Sequence, residues 1–241
     1  MTTFKIQRFD PDKDTVPHFD FFEVEEEKEM SVLEALFYIV ENLDGSLSFR
    51  YSCRGAVCGS CAMRINGKNR LACQTLIKTL KSKVIAVSPL PHLPVTKDLA
   101  VDMQRFFEKY KESKPYLINP ETAPEKERKQ SAADRKKIDE MVNCILCGAC
   151  YSACTISAAD SRFPGPAALT KAYRFFADTR DAAQKERLES VKGEHGVFRC
   201  HTLFNCAEVC PKNIVPTYSI QKLKGACLPA GRHGARRRIL S

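Results

Sequence analysis

Cys144-Ile-Leu-Cys147-Gly-Ala-Cys150-Tyr-Ser-Ala-Cys154 is the stretch on which the fold turns. Its cysteines stand in a C-x2-C-x2-C-x3-C frame. Cys200-His-Thr-Leu-Phe-Asn-Cys206-Ala-Glu-Val-Cys210-Pro211 repeats that frame, with Leu203 where the second cysteine would stand. Thiolates this close in sequence can wrap one face of a small inorganic cluster from a single turn of chain. A further bond must come from a distant segment, and in such paired runs it comes from the last cysteine of the other run.

Crossing the last cysteines assigns Cys144, Cys147, Cys150 and Cys210 to a 4Fe–4S cluster. Cys154, Cys200 and Cys206 then hold a cluster with a missing corner, because Leu203 has no lone pair for iron; this predicts 3Fe–4S. An open corner carrying water or another small ligand is the competing reading. Upstream, Cys53-Arg-Gly-Ala-Val-Cys58-Gly-Ser-Cys61, followed by Cys73, has the C-x4-C-x2-C…C spacing of a plant-type 2Fe–2S centre. Gly55 and Gly59 would let backbone N–H groups turn toward the sulfurs. Structural zinc competes for every one of these sets, but two interlocked runs, one closed by Cys-Pro, suit iron–sulfur chemistry better.

The 241 residues suffice for one large or two modest domains, and 44% hydrophobic with 28% charged residues is the mix of a soluble globular chain. The longest apolar stretches, such as Leu33 to Val40, fall short of the ~20 residues a membrane helix needs. Met1-Thr2-Thr3 enters a strand pattern at once, so no signal or transit peptide is expected. Twelve cysteines in such a chain point to metal rather than disulfides. The net charge of +9 is partly a tail feature, from Arg232 and Arg236 to Arg238. A solvated tail is the default reading and contact with anionic lipid a weaker one. No nucleic-acid motif accompanies the charge, so no nucleic acid is expected.

Phe4, Ile6 and Arg8 alternate with polar neighbours, and His18 to Val24 supplies the second strand of a hairpin. Ser31-Val-Leu-Glu34 is a capping box ahead of the apolar stripe Leu33, Leu36, Phe37 and Val40, and Asp44-Gly45 ends that helix. Ala62 to Ile65, the Asn66-Gly67 turn and Val84 to Val87 complete a β-grasp pattern. Thr96 to Tyr110 reads as a helix, Glu112 to Lys137 as a charged tether, and Ala132 to Val142 as a helix delivering Cys144. Thr155 to Pro164 reads as irregular. Helices follow from Pro166 and over Val215 to Lys224. The fold class is therefore α+β: a β-grasp plant-type ferredoxin domain, then an all-α bacterial-type dicluster ferredoxin domain. The expected boundaries are 1–95, a helix and charged linker at 96–137, the helical domain at 138–227 and a basic flexible tail at 228–241.

The order of these motifs, with Gly165-Pro-Ala-Ala-Leu169, Phe198-Arg-Cys-His201 and Asn205-Cys-Ala-Glu-Val-Cys-Pro-Lys-Asn213, resembles the iron–sulfur subunit of succinate dehydrogenase and quinol:fumarate reductase over residues 1 to about 225. The resemblance implies an electron relay from a flavoprotein partner carrying FAD, through 2Fe–2S, 4Fe–4S and 3Fe–4S centres, to quinone at a membrane anchor, often with haem b. It implies a peripheral position on the cytoplasmic side of a prokaryotic inner membrane. By position, His201 and the stretch after Cys154, including Ser157 and Asp160, match the quinone region; a structural role in the cluster loop is the other reading of His201. Many ubiquinone-linked relatives carry tryptophan after the ligand equivalent to Cys154. This chain contains no tryptophan, which leaves open a remodelled site, a low-potential quinone, or a site elsewhere in the anchor. No dinucleotide fingerprint is present, as expected if FAD sits on a partner. Cys227 lies outside every run and reads as a spare thiol. A freestanding carrier and a thiol-linked fumarate reductase subunit are the alternatives; the former is usually smaller and acidic, and the latter usually adds further cysteine-rich domains.

Overall fold

The protein is described from a computed structural model, and residues 1–228 are the described residues. The expectations for the arginine-rich tail lie outside the described residues.

β1 (Thr2–Arg8) buries Thr2, Phe4, Ile6 and Arg8 and turns the alternate residues toward solvent. It pairs antiparallel with β2 (His18–Val24), Arg8 opposite His18. α1 (Val32–Asn42) starts at Ser31, whose Oγ accepts the Glu34 N–H at 3.2 Å. The Ser31 N–H in turn donates to the Glu34 carboxylate at 2.7 Å, so the capping box forms as read. β3 (Ala62–Ile65) and β4 (Lys68–Leu71) make a hairpin, and β5 (Val84–Ser88) lies parallel to β1 and antiparallel to β3. The resulting order β2-β1-β5-β3-β4 is that of a β-grasp sheet. Leu33, Leu36 and Ile39 of the helix share one core with Phe4, Ile6, Ile65, Ile85 and Val87. Each such side chain contributes about 1.5–3 kcal/mol by leaving water.

The segment read as a helix from Thr96 is different. β6 (Val95–Lys97) and β7 (Ala100–Val101) form a small hairpin, and α2 (Gln104–Glu112) begins only after it. Asp98 is the reason. It sits at φ +46°, and its carboxylate accepts the Phe9 and Ser48 N–H groups at 3.0 and 2.9 Å and Arg8 Nε at 3.1 Å. Those bonds hold a turn that a helix could not provide. The first core accordingly continues through Leu99, Val101, Met103 and Phe106.

The helical region holds α3 (Ala132–Lys136) and α4 (Asp139–Val142), where one helix was expected; Ile138 interrupts them with its side chain fully buried. α5 (Ala149–Ser152) follows, then α6 (Thr155–Ala159) in the stretch expected to be irregular. α7 (Pro166–Phe176) opens on Pro166, whose missing N–H costs nothing in a first turn. α8 (Gln184–Val191), α9 (Asn205–Glu208) and α10 (Pro216–Cys227) complete the order. A second core gathers Met141, Phe163, Leu169, Tyr173, Val191 and Leu223.

The charged tether is ordered. Arg187 of α8 is buried, pairs with Asp181 at 2.6 Å, and donates to the Lys114 and Tyr116 carbonyls at 2.7 Å each. Asp181 also accepts the Ile118 N–H at 2.9 Å. The two halves meet where Asn69 Nδ2 donates to Ala149 O at 3.0 Å and Ser152 Oγ donates to Pro91 O at 2.6 Å. Phe106 and Tyr151 stack edge-on at 5.6 Å in the same seam. Among the described residues, no helix is long and apolar enough to cross a membrane.

Candidate iron–sulfur centres

The first cysteine loop wraps its own sulfurs in backbone N–H groups. Cys53 Sγ accepts from the N–H of Gly55 at 3.4 Å, Val57 at 3.3 Å and Cys58 at 3.2 Å. Cys58 Sγ accepts from Cys53 at 3.4 Å and Ser60 at 3.5 Å. The loop reaches this shape through positive φ at Arg54, Ala56 and Gly59. Cys61 and Cys73 stand together across the sheet end, Sγ to Sγ 3.3 Å. Electrostatics divide the set. Burial opposes ionisation of Cys58, but hydrogen bonds from Ser60 and Cys53 outweigh it and bring the thiol down to about 6. Burial pushes Cys61 up to about 12.

The two later runs share one backbone form. Leu146 and Thr202 each follow the first cysteine by two residues and have φ +54° and +62°. Gly148 and Phe204, two further on, have φ +81° and +63°. A one-turn helix then starts in each, α5 and α9. Cys144, Cys147, Cys150 and Cys210 line one cavity, floored by Ala167 and Ile214. Cys154, Cys200 and Cys206 line a second, with His201, Leu203 and Phe163 on its wall. Each run's last cysteine thus sits with the other run's set. Gly59 touches the first of these sites: a Cβ there would lie 2.7 Å from Cys147 Cβ and 2.8 Å from its Cα. Only glycine lets the first loop close onto the second.

Burial raises the thiols of Cys144, Cys147, Cys150 and Cys206, Cys147 to about 11 and Cys150 well above its usual value. Buried, uncharged thiols gathered around a cavity are poor nucleophiles and good ligands for a cationic inorganic core, which deprotonates a coordinating thiol outright. The later thiols stand around two cavities as all-sulfur donor sets. The donor chemistry therefore fits iron–sulfur clusters. When bound, such a cluster supplies a one-electron redox couple, and the protein sets its potential through ligands, burial and hydrogen bonds to sulfur. Thr217 of α10 stands 3.4 Å from Cys206 Sγ, and the Thr202 N–H donates to Cys200 Sγ at 3.4 Å.

The candidate quinone residues occupy different settings. His201 is exposed on the rim of the three-cysteine cavity. Ser157 of α6 is buried, and its Oγ has no hydrogen-bond partner. Asp160 is also buried. Its carboxylate meets His195 Nδ1 at 2.7 Å, accepts the Arg162 N–H at 3.0 Å and pairs with Arg199 at 3.3 Å. The His195 bond is the leading reason its acidity strengthens to about 2. Cys227 is half-buried against the second core and lines neither cavity. Sequence reading missed Thr217, His195 and the buried Arg187; none belongs to a spaced motif, so no linear signal announces it.

Two cluster-binding modules joined in one chain define an iron–sulfur electron-transfer protein. A 2Fe–2S iron–sulfur cluster binding domain matches residues 3–108 and a 4Fe–4S dicluster domain residues 140–214. The chain is 43% identical over 238 residues to the succinate dehydrogenase iron–sulfur subunit of Coxiella burnetii, covering 96% of this chain and 99% of that one. It is 43% identical to the Paracoccus denitrificans subunit of the same name, covering 92% and 86%. A chain of the Mycobacterium smegmatis Sdh1 complex in the apo form superposes with a TM-score of 0.80 at 25% identity, over 94% of this chain and 95% of that one. The chain belongs to the family of succinate dehydrogenase iron–sulfur subunits.

Proposed function

We propose that this chain is the electron-relay subunit of a succinate:quinone oxidoreductase, linking the flavin of a partner flavoprotein to quinone at a membrane anchor. The observation that carries the reading is the contiguous line of thiol sets. Cys53, Cys58, Cys61 and Cys73 would hold the 2Fe–2S centre. Cys144, Cys147, Cys150 and Cys210 would hold the 4Fe–4S centre, touching the first loop at Gly59. Cys154, Cys200 and Cys206 would hold the 3Fe–4S centre, beside Leu203. The domain division follows the same logic: a plant-type unit at the flavin end, the docked tether, and a helical unit at the quinone end.

His201 is the proposed polar contact to quinone, since it is exposed on the rim of the three-cysteine cavity. Ser157 does not line that cavity; its buried, unpartnered hydroxyl stands beside Gly165, and Asp160 acts through His195 and Arg199. The complex would sit on the cytoplasmic face of the membrane through its anchor. The test is His201→Ala in the intact membrane complex. Quinone reduction should fall at least tenfold, while electron transfer from succinate to an artificial acceptor falls less than twofold. Equal losses in both assays would assign His201 a structural role.

A further inference from the structure

α7 faces the four-cysteine cavity on one side. Ala167 lines the cavity itself, and Lys171, one turn later, lies on the same helix face. Lys171 Nζ donates to Met141 O at 3.3 Å. That carbonyl also accepts the Cys144 N–H at 3.4 Å, so the ammonium and the first cysteine of the run share one acceptor. Lys171 is half-buried, and no carboxylate pairs with it among the described residues. Its cationic neighbour one turn on, Arg174, is paired with Asp178 at 3.0 Å. Burial lowers the Lys171 pKa, and the neighbouring Cys144 sulfur opposes that fall.

We propose that Lys171 is the counter-cation of the four-cysteine centre and sets its reduction potential. The proposal rests on assigning Cys144, Cys147, Cys150 and Cys210 to a 4Fe–4S cluster. A half-buried ammonium whose hydrogen bond goes to a neutral carbonyl has lost hydration that no carboxylate among the described residues repays. The net negative charge of a cluster carrying thiolates repays it. Reduction delivers one electron from the 2Fe–2S side and takes up no proton, so the site gains one negative charge. A fixed cation beside Cys144 favours that reduced state. In the paired three-cysteine site the corresponding cation, Lys224, donates to Cys200 O at 2.6 Å. The contacts of Lys171, to the Met141 carbonyl that it shares with the Cys144 N–H, tie it to the four-cysteine centre.

The experiment is an EPR redox titration of the intact complex carrying Lys171→Met, Lys171→Gln or Lys171→Arg. In both neutral variants the reduced-to-oxidised ratio of the 4Fe–4S centre at fixed poise should fall about tenfold, about 59 mV for a one-electron couple. The 2Fe–2S and 3Fe–4S potentials should stay in place, and Lys171→Arg should restore the wild-type value. A 4Fe–4S potential unmoved in the neutral variants, or equal shifts in all three centres, overturns the proposal. If neither neutral variant assembles the centre, Lys171→Arg decides: an unmoved potential supports the role of charge, and a tenfold fall in the ratio overturns it. Cys144→Ser is the control for the underlying assignment. If it leaves the 4Fe–4S signal untouched, the ligand set is wrong, whatever Lys171 does.

Discussion

Cys144–Cys154 and Cys200–Cys210 are two copies of one loop set in different surroundings. Both place left-handed residues two and four positions after the first cysteine, and both then enter a one-turn helix. They differ at a single frame position. Cys147 packs under Gly59 of the first cysteine loop, whereas Leu203 is 55% exposed. Their left-handed residues differ in the same sense. Gly148 lies against Met103, where a Cβ would come within 2.7 Å of the methionine methyl, while Phe204 is half exposed. The copy that keeps its cysteine is turned toward the rest of the protein, and the copy that lost it is turned outward. One loop form, used twice, gives the relay an inner and an outer end.

Making the copies alike should have the largest effect. Leu203→Cys supplies the absent thiolate, and the three-iron centre should accept a fourth iron. The paramagnetic signal of the oxidised 3Fe–4S form would vanish from EPR spectra of the complex, and the iron content would rise. Quinone reduction should fall at least tenfold, because a four-iron cluster in that place is a weaker oxidant. An unchanged signal after full reconstitution would break the comparison at its central point.

Wedging the inner copy apart comes next. Gly59→Ala adds a Cβ within 2.8 Å of the Cys147 Cα, at a backbone φ of +75°. Overpacking against backbone together with left-handed strain should cost about 2–4 kcal/mol, seen as a lower thermal midpoint. The 2Fe–2S and 4Fe–4S centres should also lose magnetic coupling. Gly148→Ala carries similar left-handed strain at φ +81° but crowds the flexible end of Met103 rather than backbone, and should cost less; equal losses would mean the seam is not specific to Gly59.

The smallest effect belongs to the outer copy's support. Asp160 has its folded pKa lowered to about 2, with the His195 bond the leading cause. A carboxylate held below its unfolded value near 3.8 contributes stability that is fully present above about pH 5 and is lost as pH falls through 2. Chemical denaturation of wild type and Asp160→Asn should therefore differ at neutral pH and converge below pH 2. A difference that stays constant across that range would exclude the ion pair as its source.

The linear chain already contained every candidate ligand, the crossing of the last cysteines, the capping box at Ser31 and the β-grasp pattern, because each rests on spacing or period within a few residues. Contacts between distant segments could not be read that way. The turn at Asp98 depends on Arg8, Phe9 and Ser48; the ordered tether depends on Arg187 and Asp181; the burial of Asp160 depends on His195 and Arg199. Only the folded chain decided that Gly59 closes on Cys147, that Leu203 faces outward and that Lys171 stands beside Cys144. Spacing along a chain determines which atoms can ligate together, whereas burial, charge pairing and direction arise when segments far apart in sequence exclude water from one another.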